Sequence, residues 1–98
     1  MQKKFLRGTR QYQVGTTSLL VLKYYIIERS ISSSEYYYGV EINEEKISGG
    51  IEHTIKYNSL QLSESKEWVE ELIDRFIGNG VTPDTMEYII DDIMGIPC

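Results

Sequence analysis

The hydrophobic positions of this chain follow two periods, and the change from one to the other falls just after residue 60. From Ser18 to Arg29 β-branched, aromatic and aliphatic residues are dense enough to predict a long strand. Leu20, Leu22, Tyr24 and Ile26 share one face of it, and Leu19, Val21, Tyr25 and Ile27 share the other. With both faces apolar, the strand is expected at the centre of a sheet, covered on each side. Ser32-Ser33-Ser34 is turn chemistry. A second strand, Glu35 to Asn43, sets Tyr36, Tyr38, Val40 and Ile42 against Glu35, Tyr37, Gly39 and Glu41. The polar run Asn43-Glu44-Glu45-Lys46 reads as the hairpin that follows it. A third strand, about Lys46 to Tyr57, turns Ile47, Ile51, His53, Ile55 and Tyr57 inward, with Gly49-Gly50 as a bulge or bend. Arg10–Val14 offers a short extra strand in front, with Tyr12 and Val14 on one face.

Beyond residue 63 the period becomes 3.6. Ser63 or Ser65 suits a helix N-cap, and Glu64 and Glu67 suit the positive end of the helix dipole. Trp68, Val69, Leu72, Ile73, Phe76 and Ile77 form a wide apolar stripe, with Glu67, Glu70, Glu71 and Asp74 on the polar side and Glu71 one turn from Arg75. Gly78-Asn79-Gly80 ends this helix, and Thr82-Pro83 opens another, because proline at the first helical position forfeits no hydrogen bond. Met86, Ile89, Ile90 and Ile93 make its stripe, and Gly95 and Pro97 stop it.

The order β-β-β-α-α predicts an α+β fold: an antiparallel meander of three to four strands followed by a two-helix hairpin packed on one sheet face. Residues 1–98 read as a single domain, with a basic N-terminal arm over 1–16, the sheet over 17–57 and the helical hairpin over 63–94. The second sheet face carries Leu19, Val21, Tyr25 and Ile27, so it needs cover. That cover would come from the N-terminal segment folding back, from a second copy, or from a docked partner.

Composition fits a packed core: 41% of the 98 residues are hydrophobic and 11% aromatic, too many for a disordered chain. The net charge of −5 conceals a polarity. Residues 1–34 hold six basic groups and one acid, residues 35–62 two and five, and residues 63–98 two and nine. The basic start is followed by Gln11-Tyr12-Gln13-Val14-Gly15 rather than the apolar run of a secretory signal. The nine residues from Leu19 to Ile27 are too few to span a bilayer, which takes about 20. A cytoplasmic location without membrane attachment is therefore the expectation.

Little in the chain reads as reaction chemistry. One cysteine, Cys98, and one histidine, His53, exclude a disulfide framework and a Cys/His zinc site. His53 falls on the apolar side of a strand, where a core role is expected ahead of catalysis. Cys98 has no neighbouring base to activate it. Asp91 and Asp92, one turn from Glu87, read as solvent-facing carboxylates rather than a cation site. Neither Gly49-Gly50 nor Gly78-Asn79-Gly80 has the lysine of a phosphate loop. Lys3, Lys4, Arg7 and Arg10 would suit phosphates, but the acidic second half repels them, so direct nucleic-acid binding is not expected. No enzymatic activity, cofactor or metal is anticipated.

Tyr38-Gly39-Val40-Glu41-Ile42, Glu70-Glu71-Leu72-Ile73, Val81-Thr82-Pro83-Asp84-Thr85-Met86 and Asp91-Asp92, in that order, resemble a family of small uncharacterised proteins from Gram-positive, mainly clostridial-type bacteria. The resemblance runs over about residues 20–94 and leaves out the basic N-terminal arm. It implies a bacterial or phage protein of the cytoplasm and assigns no site residue. The function these observations favour is a non-enzymatic macromolecule-binding module, engaging a protein partner or a second copy as a homodimer. Its expected contact surface is Tyr25, Ile27 and Tyr37 of the outer sheet face, with Glu70, Asp74, Asp91 and Asp92 as a second patch. The alternative is an acidic inhibitor of phage or mobile-element origin that imitates nucleic acid against host defence, of the anti-CRISPR type, using those four carboxylates.

Overall fold

Four strands of thirteen residues each, two helices and three short turns account for nearly all of residues 2–94, which the computed structural model describes. The strands β1 (Gln2–Val14), β2 (Ser18–Ser30), β3 (Tyr36–Ser48) and β4 (Ile51–Ser63) form one antiparallel sheet in the order β1-β2-β3-β4. Helices α1 (Lys66–Asn79) and α2 (Pro83–Met94) follow and pack on one face. The α+β class, the meander and the helical hairpin are those the two periods predict.

The strand boundaries differ from expectation, for reasons of turn chemistry. Gly49 and Gly50 both have positive φ, 58° and 82°, and join Ser48 to its partner Ile51. That is a two-residue hairpin turn of the kind that matches sheet twist, so the pair closes a hairpin and does not bulge a strand. Asn43-Glu44-Glu45-Lys46 lies inside β3, paired with Lys23, Leu22, Val21 and Leu20. The expected N-terminal arm is also corrected: the short strand expected at Arg10–Val14 extends back to Gln2 as β1, hydrogen-bonded along β2 as an edge strand.

The core lies between the helices and the central part of the sheet. Leu22, Tyr24 and Ile26 of β2 and Val40 and Ile42 of β3 meet Val69, Leu72, Ile73 and Phe76 of α1 and Met86 and Ile90 of α2. Burial at ~25 cal/mol per Å² of apolar surface drives this contact. Tyr24 is fully buried and donates its hydroxyl to the Val81 carbonyl at 2.8 Å, tying β2 to the turn between the helices. Burial, the largest cause, pushes its pKa up to about 12.

Ser65 caps α1 by accepting from the Trp68 amide at 3.2 Å. Gly80 ends it in the left-handed conformation, φ 61°, with its amide on the Ile77 carbonyl. A strand of thirteen residues reaches about 43 Å, whereas a fourteen-residue helix reaches about 21 Å. The hairpin of helices therefore covers only part of the sheet. Ile51 (62% exposed), Ile55, Val14 and Ile47 lie in the end that projects beyond it. His53 is there too, exposed and paired with Lys46, so it is not the core residue its strand position suggested. Gly95, Pro97 and Cys98 lie outside the described residues.

Candidate functional site

The two flanks of α1 are built differently, and the cations of β1 decide the first. Arg7 reaches up from the edge strand to Asp74, Nε to Oδ1 at 2.9 Å and Nη2 to Oδ2 at 3.0 Å, and to Glu70 at 3.3 Å. This two-pronged geometry fits a guanidinium to a carboxylate. The Arg7 hydrogen bonds hold Asp74 below its ordinary pKa, against the opposing effect of burial. Arg10 donates to the Ile77 carbonyl at 3.0 Å and to the Tyr12 hydroxyl at 2.8 Å. It supplies the positive charge that the last turn of α1 lacks. Gly8 lets the strand and helix approach: a β-carbon there would stand 2.7 Å from Ile77 Cδ1. At the far end the Tyr12 hydroxyl occupies the space a side chain on Gly80 would need.

Of the expected contact residues on the outer sheet face, Ile27 is 0% exposed and offers nothing to a partner, which corrects that expectation. It stands between Lys4 and Gly39 in the sheet. Tyr25 and Tyr37 are half-buried. Lys4 lies over the Tyr25 ring, 4.5 Å from its centre, and reaches Glu41 at 3.0 Å. Lys23 pairs with Glu45 at 3.1 Å on the same face. The apolar column of β2, which Lys23 itself interrupts, is thus flanked by Lys4 of β1 and by Glu41 and Glu45 of β3, whose stems cover it. Glu64, by its charge and then its hydrogen bond, pushes Tyr37 up from the ordinary tyrosine pKa.

The second expected patch is divided. Glu70 and Asp74 are committed to Arg7 on the β1 side of the helical layer. Asp91 belongs to the β4 side: burial first, and then Asp91 and Glu87, raise the pKa of Tyr57. Asp92 is exposed on the same helix. The four carboxylates therefore do not form one array. Among the described residues no three His, Cys, Asp or Glu side chains gather as a metal site requires, and no helix is long and apolar enough to cross a membrane.

The other flank of α1 holds a feature the sequence did not single out. Trp68, 37% exposed, and Ile93, 43% exposed, face a cleft of about 300 Å³ floored by Leu62 and edged by Ser63 and Ser65. A second hollow of about 180 Å³ shares Trp68 and Ile93 and adds Leu72, Glu71 and Arg75. The periodicity placed both large residues in core stripes. They sit at the margins of those stripes, where the facing helix and the end of β4 leave them uncovered. The available signal was the width of the α1 stripe, which exceeds what a single contact surface can bury. An indole in an apolar, water-exposed cleft is suited to anchoring a macromolecule, since large aromatic side chains supply much of the energy at interfaces.

No curated protein and no solved structure matches the chain closely enough to count as a relative. A family model does match, over residues 3–95, and it takes in almost all of β1, the part the sequence resemblance left out. The chain belongs to the family of unknown function DUF6514.

Proposed function

We propose that this chain is a small non-enzymatic module of the bacterial cytoplasm that binds another protein through the Trp68–Ile93 cleft. The observation that carries the reading is the exposure of the chain's single tryptophan beside Ile93 over a cleft of about 300 Å³. An apolar surface of this kind in water costs free energy that a docked side chain recovers. The bacterial setting rests on the sequence resemblance. Imitation of nucleic acid has weaker support, because two of its four carboxylates already serve Arg7.

Site-specific photo-crosslinking in the source cell tests this reading. With Trp68→p-benzoylphenylalanine, one discrete protein adduct is expected. With Glu52→p-benzoylphenylalanine, on the outer sheet face, none is expected. No adduct from position 68, or the same adduct from both positions, would contradict the assignment.

A further inference from the structure

The charge around the cleft specifies what enters it. Nine acids follow residue 62, and Arg7 engages two of them, Glu70 and Asp74. The remaining seven face only Lys66 and Arg75 within that half of the chain. Lys66 lines a hollow with Phe5, Leu6, Arg7 and Glu70, on the flank away from Trp68. At the cleft itself Glu71 and Arg75 line the wall, and Glu67 and Asp92 are the exposed neighbours of Trp68 and Ile93 in the chain. One cation and one carboxylate thus line the wall, and two further exposed carboxylates stand next in the chain to its two large apolar residues. The serine hydroxyls at the edge already cap the helix, Ser65 accepting from Trp68 and Ser63 from Ser65. Each hydroxyl keeps its O–H to donate, and the net charge around the cleft is set by the carboxylates.

Resting on the binding role proposed above, we infer that the occupant is a basic amphipathic segment of another protein. One apolar side chain of that segment enters between Trp68 and Ile93. Flanking lysines or arginines meet Glu67, Glu71 and Asp92, and an arginine is also suited to lie against the indole face. A segment of opposite charge would bring its own carboxylates against three others and would be repelled.

Two tryptophan-free synthetic helices test this, alike in their apolar face and carrying either lysine and arginine or glutamate on the other. Trp68 is the only indole, so its emission reports the cleft alone. The basic helix is expected to shift that emission to the blue. Its affinity should fall about tenfold or more between 0.05 and about 1 M salt, as the screening length shrinks to roughly 3 Å. The triple variant Glu67→Gln, Glu71→Gln, Asp92→Asn should lose about tenfold in affinity while keeping the parent's circular-dichroism spectrum and a cooperative unfolding transition. Equal binding of the acidic helix would overturn the basic occupant and leave the cleft as a docking site. A blue shift that grows with protein concentration alone would overturn it in favour of a second copy. No shift with either helix, alongside a discrete adduct from position 68, would overturn the basic occupant while the binding role stands. No shift and no adduct would remove both.

Discussion

Helix α1 carries carboxylates on both of its flanks, and the two flanks meet different surroundings. Toward β1, Glu70 and Asp74 find Arg7, the Ile77 carbonyl finds Arg10, and Gly8 lets Ile77 seat against the strand. Toward α2, Trp68 and Ile93 remain open to water, with Glu71 beside them. The same helix is thus tied on one side by the chain's own cations, with a hollow left beside Phe5 and Leu6 near its first turn, and left uncovered at Trp68 on the other. A carboxylate gains its partner from whatever strand lies beneath it, so the acidity of a helix in sequence says little about which of its acids are available. A tryptophan at the margin of a stripe is likewise covered only if a neighbouring element reaches that far.

The difference can be probed by substitution, beginning with the contact both flanks depend on. Phe76 is almost wholly buried beneath α1, and Phe76→Ala should cost about 3–4 kcal/mol in chemical denaturation, because it leaves a cavity that neighbours fill only in part. On the flank toward β1, Gly8→Val should cost about 1–2 kcal/mol, since the added atoms collide with Ile77. Combined with Ile77→Ala, that cost should shrink well below the sum of the two single changes, which a double-mutant cycle measures. On the open flank, Trp68→Ser should cost only about 1 kcal/mol despite the size of the side chain, because the space it leaves is already open to solvent.

Arg7→Gln should have the smallest effect, and its dependence on pH identifies it. Asp74 titrates below its ordinary value of 3.8 when folded. Its contribution is therefore complete above the unfolded value and is lost as pH falls through the lower folded one. The variant should be less stable than the parent at neutral pH, and the difference should narrow as the pH falls toward ~2. Denaturation midpoints compared at the two pH values check this.

The helices were legible because several independent signals agree on them. The 3.6 period, Ser65 at the cap, Gly80 at the end and Thr82-Pro83 at the restart all specify the same boundaries. β2 was legible for its dense apolar run. β1 was legible only over Arg10–Val14, because an edge strand needs only a fringe of apolar residues and the Lys, Arg and Thr positions before that stretch read as an arm. The β3–β4 hairpin was misplaced because the projecting end of the sheet has no helix over it. Polar residues can then occupy both faces, and Asn43 to Lys46 resemble a turn while lying within a strand. The outer face was misjudged in the same way. An apolar column in one strand gives no account of the Lys4, Glu41 and Glu45 side chains that its neighbours lay beside it, or of how Lys23 within the column pairs with Glu45. The candidate site depends on which margins of two helices stay uncovered, and that follows from helix placement rather than from any local pattern.

Charged quenchers of Trp68 fluorescence test the account most directly, because they read the exposure of the indole and the sign of its surroundings together. With each slope divided by that ion's slope for free N-acetyltryptophanamide, caesium should quench Trp68 of the free protein more efficiently than iodide at low salt, and the two ratios should converge as salt is raised. A larger normalised ratio for iodide, or resistance to both ions, would contradict an open, acidic cleft at this position.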